Sequence, residues 1–183
     1  TIMLKLINMR RNIFSLGAAI LSMLSVGNVW ALNGTKPRGT GGTYDPFQIT
    51  KVSELLYFAD YVNTENGRAN ATLYCDLDLT GVNWVPIGTA DAPYRGHFDG
   101  QGYVLKNLTV NGNYRYCGLF GMIQNESALY NIVLQSPRVT SQDVENADAA
   151  FYTGSLCGYS ENSKITNVTV INPQVKGKNY VGG

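Results

Sequence analysis

The feature that most restricts how this chain can fold is an internal repeat. Leu105-Lys106-Asn107-Leu108-Thr109-Val110 matches Leu129-Tyr130-Asn131-Ile132-Val133-Leu134 and Ile165-Thr166-Asn167-Val168-Thr169-Val170, so one pattern, apolar-x-Asn-apolar-x-apolar, occurs three times. In the last two copies a proline follows, Pro137 and Pro173, and then a valine, Val139 and Val175. The asparagines lie 24 and 36 residues apart. The excess falls in an insert, Thr140 to Ala150, which carries Asp143, Glu145 and Asp148 and reads as a protruding loop. Units that recur at such spacings bury their apolar faces only against their neighbours.

An uninterrupted strand through Leu105, Asn107, Leu108 and Val110 would send apolar side chains to both faces, because side chains alternate along a strand. A corner at Asn107 removes the conflict, and asparagine tolerates the left-handed backbone that a corner needs. Asn107, Asn131 and Asn167, stacked in successive coils, can then bond amide to amide, with Leu105, Leu108 and Val110 all inward. A second block alternates with the first: Cys117-Gly118-Leu119-Phe120-Gly121, then Gly154-Ser155-Leu156-Cys157-Gly158, and finally Gly182-Gly183. Its glycines, Gly118, Gly121, Gly154 and Gly158, suit tight bends and close backbone approach, leaving Leu119 and Leu156 to point inward. A coil of roughly 24 residues, made of short strands and corners, predicts an all-β fold of the solenoid type, a right-handed parallel β-helix.

Upstream of the repeats the periodicity changes. Val52, Leu55, Leu56, Ala59 and Val62 recur at helical spacing, with Thr50 as the expected N-cap and an end near Asn66-Gly67. This short helix is expected to plug the N-terminal end of the solenoid. Leu73, Cys75, Leu77 and Leu79 then alternate with Tyr74, Asp76, Asp78 and Thr80, the period of one strand with a single buried face. Residues 32–43, rich in Gly, Thr, Pro and Lys, read as a flexible lead-in, and 44–183 as the cap and first coils of the repeat domain. Because Gly182-Gly183 opens a block that next requires Leu, the natural protein is expected to continue.

Lys5, Arg10 and Arg11 precede an uncharged run from Ile13 to Val26, and Val29-Trp30-Ala31 offers a cleavage site, so residues 1–31 read as a secretory signal peptide. The run is shorter than the roughly 20 residues a membrane span needs, and no transmembrane helix is expected in the mature chain. The expected location is extracytoplasmic, secreted or on the cell surface. Without the leader's three bases, 11 Lys and Arg face 13 Asp and Glu, with no basic cluster to meet phosphates, which argues against nucleic-acid binding. Three cysteines, Cys75, Cys117 and Cys157, allow at most one disulfide and read as small buried hydrophobes.

The G-x-L-x-G block, the helix before Leu73, and the stretch from Trp84-Val85-Pro86-Ile87-Gly88 through Phe98-Asp99-Gly100-Gln101-Gly102 to Asn107-Leu108 resemble bacterial surface proteins with GLUG motifs. The resemblance runs from about Tyr44 to Gly183 and is clearest after Trp84; the second block departs from the pattern at Ser155 and Cys157. It implies a pectate-lyase-like β-helix on secreted or surface proteins, often adhesin-like. Some members are joined to immunoglobulin A peptidases, but the zinc-binding His-Glu-x-x-His of that peptidase is absent here.

Candidate sites are few. His97, the single histidine, offers no multi-histidine metal site. Asp76, Asp78 and Asp99 are weak carbohydrate-site candidates, since carbohydrate-cleaving β-helices carry paired carboxylates on one outer face; a solvated strand face and an ordinary turn are the preferred explanation. Tyr94, Tyr103, Tyr114 and Tyr116 could stack on sugars or simply on one another. No cofactor is implied. The expected function is a non-enzymatic module that presents a wall and loops to host or microbial surface glycans or proteins; the alternative is a portion of a larger secreted glycan-active enzyme or peptidase.

Overall fold

The computed structural model describes residues 34–142 and 150–183; the expected signal peptide and Asp143, Glu145 and Asp148 of the insert lie outside them. Among the described residues the chain is mostly β-strand in parallel sheets, with one helix. Parallel pairing follows from the repeat: a strand can lie parallel to its partner only if the chain travels away and returns in the same direction.

The N-terminal part carries β1 (Phe47–Ile49), α1 (Val52–Thr64), β2 (Ala71–Leu73) and β3 (Leu77–Asp78), and β2 returns parallel to β1, with Ala71 beside Phe47. The expected single strand from Leu73 to Thr80 is therefore two strands, although its burial parity survives: Leu73, Leu77 and Leu79 are inside, while Tyr74, Asp76, Asp78 and Thr80 are exposed. A turn at residues 74–76 separates the two strands, and Leu77 then aligns with Leu105.

Helix α1 buries Leu55, Phe58, Ala59 and Val62, with Val52 and Leu56 half-buried against the core. Phe58 belongs to this face although the spacing count left it out; its ring lies 5.9 Å from Tyr94 and 5.8 Å from Phe98, measured between centroids. The N-cap position is Lys51 and not Thr50, and it makes no side-chain capping bond. The buried Glu54 reaches back instead, accepting from the backbone N–H of Thr50 at 2.8 Å and from its hydroxyl at 2.9 Å. The supposed flexible lead-in is tied down as well. Thr35 N–H donates to Ser53 O, Gln48 N–H to Arg38 O and Asn70 N–H to Gly41 O, at 2.8–2.9 Å, with Pro37 and Gly41 buried. These bonds are to backbone carbonyls, which leave no hydrophobic period in the sequence.

Later turns stack strand on strand. Strands β4 (His97–Asp99) and β5 (Val104–Lys106) both lie against β9 (Ala128–Gln135), and β9 pairs in turn with β13 (Lys164–Ile171). Elsewhere β6 (Thr109–Gly112), β10 (Arg138–Ser141) and β14 (Gln174–Lys176) form one parallel sheet. Another contains β7 (Tyr116–Cys117), β11 (Tyr152–Gly154) and β15 (Tyr180–Gly182). Finally β8 (Phe120–Gln124) pairs with β12 (Cys157–Glu161).

The register corrects the alignment of the first repeat. Ile165 faces Leu129 and Val168 faces Ile132, as the motif requires, but Leu105 faces Leu134 and Phe98 faces Leu129. Asn107 is therefore equivalent to Ser136 and Asn172, not to Asn131. The reason is that each turn has two corners of the same local kind. Asn107, Ser136 and Asn172 have φ of 57°, 54° and 50°, while Asn131 and Asn167 have 55° and 52°. A third left-handed pair, Asn125 and Asn162 at 51° and 48°, marks a further corner. Turn length consequently varies, from 24 residues between Phe47 and Ala71 to 37 between Phe120 and Cys157, in place of a fixed repeat.

Inward residues form one continuous core. Leu105, Leu108, Leu119, Leu129, Ile132 and Leu134 are fully buried, and Phe47, Phe58, Tyr94, Phe98 and Phe120 touch ring to ring through it. Tyr94, expected at the surface, belongs to this interior, and its hydroxyl has no partner among the described residues. Trp84 is also interior; its indole N–H donates to Leu119 O at 2.9 Å, as a buried indole must. A Cβ placed on Gly118, Gly121, Gly154 or Gly158 would sit 2.8, 2.3, 2.4 or 2.7 Å from a backbone atom, so the second block requires glycine for clearance. In the last turn burial declines: Ile165 and Val181 are 44% and 50% exposed, and Leu156 is half-buried.

Candidate binding surface

The three aspartates do not form an acid–base constellation. Asp76 accepts from Val104 N–H at 2.9 Å and pairs with Lys106 at 3.6 Å. Asp78 accepts from the N–H and hydroxyl of Thr80, at 3.0 and 2.6 Å, and from the Asn107 amide at 2.9 Å. Asp99 accepts from Gln101 N–H at 2.8 Å and from the Asn131 amide at 3.0 Å. Asp76 thus ties one strand to the next, while Asp78 and Asp99 each close a turn and receive a corner asparagine. The bonds from Thr80 and Asn107 hold the Asp78 carboxyl below its ordinary range, the reverse of what a proton donor needs. His97 is exposed, and its backbone N–H donates to Asn70 Oδ1 at 2.7 Å.

The thiols are equally quiet. Cys75, Cys117 and Cys157 are free. Burial pushes Cys117 up to about 11 and Cys157 up to about 12, so neither is a thiolate at neutral pH. Among the described residues no group of three or more His, Cys, Asp or Glu gathers as a metal site would require, and no helix is long and apolar enough to cross a membrane.

What the fold does assemble is tyrosine. Strands β7, β11 and β15 place Tyr116, Tyr152 and Tyr180 at equivalent positions in successive turns. The Tyr152 and Tyr180 rings stack at 4.7 Å with planes 6° apart, and Tyr116 follows at 5.4 Å from Tyr152. Tyr159, from β12, joins Tyr116 and Tyr152 at 5.6 and 5.5 Å. Arg115 lies over the Tyr116 ring at 5.5 Å, a cation–π contact. Tyr116, Tyr152 and Tyr159 are half-buried and Tyr180 is 59% exposed, so the cluster forms part of the outer wall. Of the tyrosines singled out from the sequence, only Tyr116 belongs to it. The overlooked signal was Tyr-x-Gly, which occurs at Tyr116, Tyr152 and Tyr180, immediately before or within the glycine block.

Comparison with known proteins shows a likeness of fold but gives no assignment. No protein-family model matches the chain. It is similar to halomucin of Haloquadratum walsbyi, 29% identical over 157 residues, covering 79% of this chain and 2% of halomucin. It is also similar to a candidate Gly-rich membrane protein of Evansella cellulosilytica, 31% identical over 141 residues, covering 72% of this chain and 15% of that protein. The chain thus spans only a small part of the length of either relative. Among solved structures, a candidate immunoglobulin A1 protease from Bacteroides ovatus superposes with a TM-score of 0.57 at 20% identity, over 81% of this chain and 55% of that one. At that identity the likeness is one of fold alone.

Proposed function

We propose that this chain is a segment of an exported, surface-displayed protein of the GLUG-motif type, folded as a right-handed parallel β-helix with α1 as its N-terminal cap. It performs no chemistry of its own and presents its tyrosine wall and loops for attachment to host or microbial surface glycans or proteins. The observation that carries this reading is the parallel register of β9 on β13 and of β7 on β11 and β15, with left-handed corners falling above one another. An elongated stack of this kind offers long outer faces on which side chains repeat at the spacing between strands. The engaged carboxylates and protonated thiols support presentation over catalysis, and the leader pattern supports export.

The test is a glycan and surface-protein array probed with the purified chain, followed by chromatography of any bound oligosaccharide. Binding without product is the expected result. Product formation would favour the alternative, a portion of a larger secreted glycan-active enzyme or peptidase, and silence on every ligand would reduce the chain to a spacer.

A further inference from the structure

The strand register contains a step. Asn83 bridges Thr109 and Ile87 bridges Phe120, both in parallel, so the lower turn passes between these contacts through Trp84, Val85 and Pro86 while the upper one uses residues 110–119. The imbalance then reverses: the lower turn spends residues 88–93 between Ile87 and Tyr94, against Gly121 and Met122 between Phe120 and Ile123 above. One bow therefore overhangs a place with no strand beneath it, beside a loop of the lower turn. Between them lies a cleft of about 230 Å³, with Val85, Pro86 and Asp91 from the lower turn and Tyr114, Arg115 and Tyr116 from the upper one.

The chemistry of this lining is specific. Val85 is 45% exposed and, with Pro86, gives an apolar floor; the two tyrosines add ring surface. Arg115 is held by its Nε–H, which donates to Ala150 O at 3.3 Å, and by the Tyr116 ring, leaving the outer edge of its guanidinium for a ligand. Among the described residues no carboxylate pairs with it. The volume is below the ~300–1,000 Å³ of sites that enclose drug-sized molecules, so it suits one ring and not a chain.

We infer that the cleft binds a terminal carboxylated pyranose, such as a uronate or sialate. Arg115 takes the carboxylate, and Val85, Pro86 and Tyr114 take the C–H face of the ring. This deepens the reading of the chain as a presenting module and rests on it.

The test is calorimetry or saturation-transfer NMR of the full chain with glucuronide-, galacturonide- and sialyl-terminated oligosaccharides beside neutral counterparts of the same length. Binding of at least one acidic probe, weakened by added salt and absent for its neutral counterpart, is expected. Arg115→Gln should weaken it by about tenfold or more. Val85→Glu, which obstructs the floor and repels the carboxylate from an exposed position, should abolish it with the melting temperature unchanged. Equal binding of acidic and neutral probes, or binding that survives both substitutions, overturns the cleft while leaving the presenting wall intact. No binding by any acidic probe overturns the cleft as well, and the array decides separately whether the wider reading falls.

Discussion

The side-chain amide of Asn167 donates to the side-chain carbonyl of Asn131 at 2.7 Å, across 36 residues of sequence. Asn131 passes the bond on, donating to Asp99 at 3.0 Å, so a carboxylate ends the row. Asn131 therefore does two jobs, holding a left-handed corner at φ 55° and linking the turns on either side. Asn131→Gly keeps the backbone and loses only the side-chain bonds, and should cost about 1–2 kcal/mol. Asn131→Ala adds about 1–2 kcal/mol of left-handed strain. Urea denaturation of the two variants should rank them in that order; equal losses would show that the corner is not strained.

Ser136 occupies the same kind of corner as Asn107 and Asn172, with φ 54°, and serine is poorly suited to it. Ser136→Asn is expected to stabilise the chain by roughly 0.5–1 kcal/mol, by easing the backbone and offering its amide to the neighbouring turns. A lower unfolding midpoint would refute the stacking of these three residues.

Tyr94 is completely enclosed, and its hydroxyl has no partner among the described residues; burial also pushes its ionisation well above the ordinary range. Tyr94→Phe retains the ring contacts with Phe58 and Phe120 and removes the orphaned group, so a gain of about 1 kcal/mol is expected. A loss of stability on thermal melting would mean that the hydroxyl has a bonding role.

Asp78 sets an acid limit. Its carboxyl is held below the ordinary value of 3.8 by the Thr80 hydroxyl, the Asn107 amide and the Thr80 N–H, in that order. Because the folded value is the lower one, the contribution is present above the unfolded value and disappears as pH falls through the folded one. Urea midpoints measured from pH 6 downwards should fall less steeply in Asp78→Asn than in the parent chain. Parallel curves would show that the bonds do not favour the ionised form.

Cys117 and Cys157 should resist modification. With ionisation raised to about 11 and about 12 by burial, they are expected to react with a maleimide at pH 8 only after denaturant is added. The sign for stability is the opposite of that for Asp78: the contribution is present below the unfolded value of 9.0 and is lost as pH rises through the folded values. Rapid labelling of the native chain at these residues, read by mass spectrometry of its peptides, would contradict the packing.

Local chemistry is legible in the sequence itself. The alternation of Leu73, Leu77 and Leu79 with outward aspartates, the left-handed turns at Asn107, Asn131 and Asn167, and the glycines that admit no Cβ each depend on backbone geometry within a few residues. Such geometry is written into residue type. Which corner stands on which was another matter, because two corners in each turn carry the same apolar-x-Asn signature and only the pairing of distant strands distinguishes them. Leu105 lies beside Leu134 and not Leu129 because Phe98 already occupies the place against Leu129. The Tyr116–Tyr152–Tyr180 row and the cleft above Val85 likewise arise from turns of unequal length laid over one another, a sum over the whole path that no short window of sequence contains.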